Sequence, residues 1–298
     1  NKNAVKYATA GTPKKFWSVW KEQDTEWLQT RLKALVPDRM PTEQDRNIVS
    51  LFSSERVYEL IRYFILFDAN VKKVCRYQQF FAVREIMKTI AESDEHGNRR
   101  SGVIWHTQGS GKSLTMVMLA KTILMELKDC HPRVVIVTDR KELDAQIAAT
   151  FAHTRLTPAR ATSGRHLVEL VNSARADVIT SIINKFNTVE RQEVKNPSRD
   201  IFVLVDESHR SNYGLMATRM RSVFPNACYI GFTGTPLMKS EKNTMARFGR
   251  LIHKYTIRDG VEDGAIVPLI YEGRFVEQKV DEENIDLWFK QTTRRLTE

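Results

Sequence analysis

The sequence predicts an α/β domain built on a doubly wound parallel sheet and preceded by a mainly helical N-terminal segment. Three observations carry this expectation. From residue 77 to about 257, short β-branched apolar runs alternate with helical stretches. A glycine-rich loop, His106–Ser113, joins the first run to the first long helical stretch. A later run ends in a pair of acids, Asp206 and Glu207.

The runs are Gly102–Trp105 (GVIW), Arg133–Thr138 (RVVIVT), Asp177–Ser181 (DVITS), Ile201–Val205 (IFVLV) and Cys228–Thr233 (CYIGFT). Each is nearly all apolar, which suits a strand covered on both faces of a parallel sheet. Helices are expected between them at Ser113–Lys128, Lys141–Phe151, His166–Ala174 and Leu215–Val223. Such βαβ alternation indicates a doubly wound arrangement. Upstream, Ser54–Phe67 (SERVYELIRYFILF) has helical spacing of apolar residues. No chemical motif stands out in the first 70 residues, which read as a packing or linker layer. From Ile266 onward, IVPLIYEGRFVEQKV reads as a strand leaving the domain. The expected division is therefore 1–72, 73–262 and 263–298.

Composition narrows the class. Hydrophobic residues make up 42%, enough for a sizeable core. Lys plus Arg is 46 against 36 for Asp plus Glu, a net charge of +10. That excess favours a polyanionic partner, nucleic acid first, over a basic surface without one. Cys75, Cys130 and Cys228 are far apart and form no CxxC pair, so reduced thiols in the cytoplasm are expected, with no zinc site. No apolar run approaches the roughly 18 residues of a membrane span, and no signal-peptide core opens the chain. Asn1 stands where an initiator Met would, so the chain is expected to start inside a longer protein.

The loop His106-Thr-Gln-Gly-Ser-Gly-Lys-Ser113 points to phosphate binding. Gly109 and Gly111 let the backbone turn tightly, so that successive N–H groups, that of Ser110 among them, face phosphate oxygens. The helix that follows adds its positive end. Lys112 is expected to reach the β- and γ-phosphates, and Ser113 to offer its hydroxyl to Mg²⁺. The usual pattern begins with Gly where this chain has His106. Asp206, at the carboxyl end of its strand, is expected to hold Mg²⁺ through water, and Glu207 to accept a proton from the attacking water. Glu207 tips the expectation from ATP binding to ATP hydrolysis. His209 reads as a coupling residue or an ordinary loop histidine. Thr233 and Thr235, in TGTP, read as sensors of the γ-phosphate or as parts of a turn.

The order of these words carries a resemblance. Arg76-Tyr-Gln-Gln79 precedes GSGKS, followed by TDRKELDAQ at Thr138–Gln146, Thr180–Phe186, DESH and TGTP. This resembles the first RecA-like motor domain of superfamily 2 helicases. More closely it resembles the restriction (R) subunit of type I restriction-modification enzymes, which carries an HTxGSGKS loop preceded by RYxQ and followed by TDRxxLDxQ. The likeness covers about residues 1–280, since GTPKKFWSVWKEQ is similar to that family's linker after its nuclease domain.

The resemblance implies that Gln79 reads the adenine edge with Arg76 or Tyr77 beside the base. It also implies that Arg140, Thr180 and Lys185 line the face that tracks duplex DNA, where such side chains suit phosphate contacts. It further implies methyltransferase (M) and specificity (S) subunits as partners, and a machine that pumps DNA and cuts it when translocation stalls. The family's nuclease is expected before residue 1. An arginine-bearing second motor domain, which stabilises transition-state charge, is expected after residue 298. The chain alone is therefore expected to bind ATP weakly, hydrolyse it poorly and leave DNA uncut. The alternatives are another superfamily 2 motor, such as an RNA helicase or a chromatin remodeller, and a nucleotide-gated binding module without turnover.

Overall fold

The structure, a computed structural model, describes residues 5–68, 71–138, 147, 151, 158–173, 176–186, 195–206, 213–234, 248–267 and 282–293. By contacts, residues 1–266 form one compact unit and residues 267–298 a second. In the second, the described residues include a helix at Glu282–Thr293.

The first unit opens with two short strands, β1 (Lys6–Tyr7) and β2 (Ser18–Val19), paired antiparallel. Three helices follow, α1 (Thr25–Leu35), α2 (Glu43–Phe52) and α3 (Ser54–Tyr63). Each start is fixed by a side-chain cap: Asp24 accepts from the Trp27 amide, Thr42 forms a reciprocal capping box with Asp45, and Ser53 accepts from the Arg56 amide.

The helix expected over Ser54–Phe67 stops at Tyr63. Ile65–Asp68 is instead strand β3, paired antiparallel with β4 (Val71–Val74). The β-branched and aromatic residues after Tyr63 pack better on a pleated surface, where Leu66 is buried and Phe67 exposed.

Seven parallel strands form the main sheet: β5 (Gly102–His106), β6 (Arg133–Thr138), β7 (Pro158–Arg160), β8 (Val178–Ile182), β9 (Ile201–Val205), β10 (Cys228–Thr233) and β11 (Arg250–Tyr255). Their spatial order is β11-β5-β10-β9-β6-β8-β7. All five expected strands are present within one residue of their expected ends. Successive residues point to opposite faces, so Val134, Ile136, Phe202 and Leu204 enter one core and Val135, Val137, Val203 and Val205 the other.

The first face is covered by α4 (Tyr77–Ala91) and α5 (Lys112–Glu126), and by the N-terminal Trp20 and Phe64. The second is covered by α6 (Gly164–Asn172) and α7 (Tyr213–Val223). Helices on both faces make this the doubly wound sheet that the alternation predicts and the RecA-like fold that the resemblance implies. After β11 comes α8 (Ile257–Glu262).

Among the elements that escaped the sequence, three belong to the main sheet or cover it. Helix α4 runs so apolar into the core that its period is masked: Phe80, Ala82, Val83 and Ile86 are at most 1% exposed. Strands β7 and β11 lie at the sheet edges. Strand β11 (RLIHKY) carries charges that read as loop. The helix expected at Lys141–Phe151 lies, apart from Ile147 and Phe151, outside the described residues, as does the strand expected from Ile266 beyond Val267.

Candidate nucleotide site

Parallel pairing brings the carboxyl ends of β5, β10 and β9 to one edge of the sheet. Thr233 is in register with Trp105, and Gly231 with both Val103 and Val205. The loop after β5 and Asp206 after β9 therefore open on the same edge with only β10 between them. At roughly 4.8 Å per strand, the two strand ends lie about 10 Å apart. The amide of Asp206 still donates to Val137 O at 2.9 Å. Continuing the alternation from Leu204, Asp206 falls on the face that carries α5.

The loop itself is shaped by two glycines in the left-handed region, Gly109 at φ +80° and Gly111 at φ +87°. Both serve a turn that side chains disfavour. A Cβ on Gly109 would meet nothing within 4 Å, whereas one on Gly111 would lie 2.7 Å from Gln79 Nε2. Gly111 caps α5, so the helix begins at Lys112, which is itself buried. Ser113 is half-buried beside it. Ser110 is 2% exposed and its Oγ has no hydrogen-bond partner. An orphaned hydroxyl in a left-handed glycine loop at a helix N-terminus is an environment that fits an anionic phosphate chain.

Gln79 ties this loop to the helix before it. Its Nε2 donates to Gly111 O at 3.0 Å, while its Oε1 accepts from the Arg76 amide at 2.8 Å. Arg76 caps α4 and is half-buried. The Tyr77 hydroxyl donates to Asp263 at 2.7 Å.

The remaining expected residues divide. Thr233 is buried at the end of β10, beside the loop's strand. Glu207, His209, Thr235 and Arg140 lie outside the described residues. Thr180 and Lys185 do not share one exposed face. Thr180 is 0% exposed in the middle of β8, and its Oγ1 has no partner. Its expected DNA contact is corrected on that ground, because a hydroxyl sealed within the sheet offers nothing to a phosphate. Lys185 is half-buried and its ammonium donates to Ala161 O.

Sequence inspection missed a polar chain at the start of the loop, buried at His106 and His253 and ending at the exposed Gln23. His106 Nε2 and His253 Nδ1 are 2.9 Å apart, and His253 Nε2 lies 3.0 Å from Gln23 Oε1. Burial, the neighbouring His253 and Lys112 hold the His106 pKa well below the usual imidazole range. Burial lowers that of His253 to about 4. His253 sits in the unrecognised β11, so its only sequence signal was its type.

Cys75 and Cys228 are buried and Cys130 exposed, all three as free thiols. Burial pushes Cys228 up to about 12. Among the described residues, no helix is long and apolar enough to cross a membrane, and no group of three or more His, Cys, Asp or Glu could hold a metal ion.

The chain is 37% identical, over 74% of its length, to the HindI endonuclease subunit of a Haemophilus influenzae type I restriction enzyme. It is 34% identical, over 86% of its length, to the MjaIXP type I endonuclease subunit of Methanocaldococcus jannaschii. It spans 24% and 25% of those relatives, about a quarter of each. Among solved structures, the UvsW helicase of bacteriophage T4 is similar over 67% of each chain, at 19% identity and a TM-score of 0.49. The expected resemblance to type I restriction R subunits is thus borne out. The SWI2/SNF2 ATPase family profile matches residues 78–298, from within α4 to the end of the chain. The chain belongs to the SWI2/SNF2 ATPase family.

Proposed function

We propose that this chain is the ATP-binding part of a type I restriction R subunit, in which ATP hydrolysis drives duplex DNA past a fixed complex before cleavage. The observation that carries the proposal is the shared edge. The Gly109–Ser113 loop and Asp206 flank a single strand at the carboxyl ends of a parallel sheet, where such sheets bind ligands.

In this proposal the amides of Gly109, Ser110 and Gly111 cradle the phosphates, and the Lys112 ammonium neutralises charge on the β- and γ-groups. Ser113 and Asp206 would hold Mg²⁺. That ion, when bound, withdraws negative charge from the phosphate oxygens. Glu207 accepts the proton of the attacking water. Gln79 and Arg76 meet the adenine. Gln79's bond to Gly111 O means that the base pocket and the phosphate loop are set by one side chain. Thr233, Thr235 and His209 report the phosphate state, and Arg140 and Lys185 face the DNA backbone. The net charge of +10 supports a DNA partner. The M and S subunits supply site recognition, and the nuclease belongs to the longer protein. Residues 1–72 are proposed as its linker, 73–262 as the first motor domain and 263–298 as the start of a connection to a second.

The test is an ATPase assay of the full-length protein with its M and S subunits, with and without unmodified duplex DNA. DNA-stimulated turnover is expected, and Glu207→Gln should abolish it while leaving ATP binding intact. If Glu207→Gln hydrolyses ATP at the wild-type rate, the hydrolytic assignment fails.

A further inference from the structure

Four consecutive residues before α1, Trp20–Gln23, each grip a different part of the molecule. Trp20 lies edge-on against Phe80, with ring centroids 5.3 Å apart. Glu22 pairs with Arg56 at 3.2 Å, both side chains 3% exposed. Lys21 forms an ion pair with Asp263, which also accepts from the hydroxyls of Tyr77 at 2.7 Å and Tyr255 at 2.8 Å. Gln23 reaches His253 and, through it, His106. Two of these lines end beside the nucleotide site. Tyr77 stands two residues before Gln79, and His106 is the first residue of the phosphate loop.

We propose that Gln23 is a positioning residue for the phosphate loop, acting through His253 on His106. The inference rests on the ATP-binding function proposed above.

Proton bookkeeping makes the chain directional. Gln23 Oε1 can only accept, so His253 Nε2 carries the hydrogen. His253 Nδ1 is then bare and accepts from His106 Nε2–H. His106 Nδ1 is left bare and is buried without a partner. One amide oxygen on the N-terminal segment thus fixes the tautomer of two rings and the orientation of the first loop residue. The backbone beside it is held as well, because the Thr107 amide donates to Tyr255 O at 2.9 Å. The loop therefore leaves β5 at an angle set by β11 and by the segment packed behind it.

The groups facing the pair are Glu85 from α4 and Asp259 from α8 toward His253, with Lys112 from α5 and the Tyr255 ring toward His106. At His253 burial outweighs the two carboxylates, which favour the charged ring; at His106 burial, His253 and Lys112 all disfavour it, so the chain is neutral near pH 7. Gln23→Glu changes that balance. A carboxylate in the same place stabilises the His253 imidazolium, whose Nδ1–H then confronts His106 Nε2–H and forces His106 to its other tautomer.

The experiment measures ATP turnover by the full-length protein, with its partner subunits and duplex DNA, between about pH 5.5 and pH 8.5, the range in which imidazole titrates. Equilibrium binding of a fluorescent ATP analogue runs in parallel. Gln23→Leu should raise KM and the analogue's Kd up to about tenfold, the upper scale of one lost hydrogen bond that is buried at its His253 end, with kcat within about twofold. Gln23→Glu, nearly isosteric, should match wild type at the alkaline end and lose affinity relative to wild type as pH falls. It carries the test should Gln23→Leu fail to fold. A Gln23→Leu protein with unchanged KM, or a Gln23→Glu to wild-type KM ratio that stays flat with pH, overturns the proposal. Wild type that binds no ATP overturns the proposed function first and this inference with it, so the two failures are distinguishable.

Discussion

Replacing Gly111 with alanine loads the phosphate loop in two separable ways. The residue sits at φ +87°, and holding an L-residue in the left-handed region costs about 1–2 kcal/mol. The new Cβ would also lie 2.7 Å from Gln79 Nε2, the free end of a flexible side chain. The collision itself is cheap, because that end can swing away. Swinging, however, breaks the bond from Nε2 to Gly111 O at 3.0 Å and the bond from the Arg76 amide to Oε1 at 2.8 Å. At about 1 kcal/mol each, those losses add about 2 kcal/mol. The total for Gly111→Ala is then about 3–4 kcal/mol. Gly109→Ala is the control, since φ is +80° and nothing stands within 4 Å, so only the backbone cost of about 1–2 kcal/mol applies. In a Gln79→Ala background, Gly111→Ala should fall to the same figure. Urea unfolding of the four proteins in this cycle should show a coupling of about 2 kcal/mol. A coupling below about 0.5 kcal/mol, or a Gly109→Ala protein as unstable as Gly111→Ala, would refute the claim that Gln79 braces the loop.

Arg56→Ala should destabilise by about 3–5 kcal/mol in the same assay, because it strands the buried Glu22 carboxylate and removes a guanidinium 4.3 Å from the Phe80 ring centroid. A loss typical of a surface pair, under about 1 kcal/mol, would count against that burial. Thr180→Val replaces a sealed, unpartnered hydroxyl with a methyl group. It should leave stability unchanged or raise it by up to about 1 kcal/mol, with no change in duplex DNA affinity. Weaker DNA binding would reinstate the contact that its burial speaks against. Stability should also depend on pH through His253. Its folded pKa of about 4 lies below the unfolded 6.5, so the unfolded chain takes up the proton first as pH falls. The stabilisation is present above about pH 6.5 and is lost toward pH 4, at up to about 1.4 kcal/mol per pH unit. His253→Gln should flatten that limb of the stability profile, and an unchanged slope would show that His253 is not held neutral.

The central strands were legible because burial on both faces leaves only apolar, β-branched choices. Ile201–Val205 and Cys228–Thr233 could hardly be anything else, and the structure places them at those bounds. The loop was legible for a related reason. Left-handed φ values at Gly109 and Gly111, a turn and a helix start compress into a few residues that few other arrangements use. Strand β11 was illegible because an edge strand faces solvent and tolerates charge, so RLIHKY carries no period. The Ser54–Phe67 stretch misled for the opposite reason. Its apolar residues satisfy a helical period through Tyr63, and nothing local announces that Ile65–Asp68 will find an antiparallel partner at Val71–Val74.

The polar residues that bind the site together are a different case. Gln23, His253 and Asp263 are 230 and 10 residues apart in turn, and none belongs to a recognisable word. Their placement depends on three independent facts: β11 pairs with β5, the N-terminal segment packs beside both, and α8 begins with a capping box at Thr256 that sets Asp263 about two turns on. No local pattern encodes a contact that needs all three. A buried histidine is also ambiguous in sequence, being as often a satisfied core residue as a functional one. Here the distinction turns on the orphaned Nδ1 of His106. An acceptor left bare in the core costs about 1–3 kcal/mol, and a well-packed aliphatic residue would remove that cost. A histidine that serves only as packing therefore has nothing to offset the loss, whereas one that hands the orientation of the phosphate loop to Gln23 does.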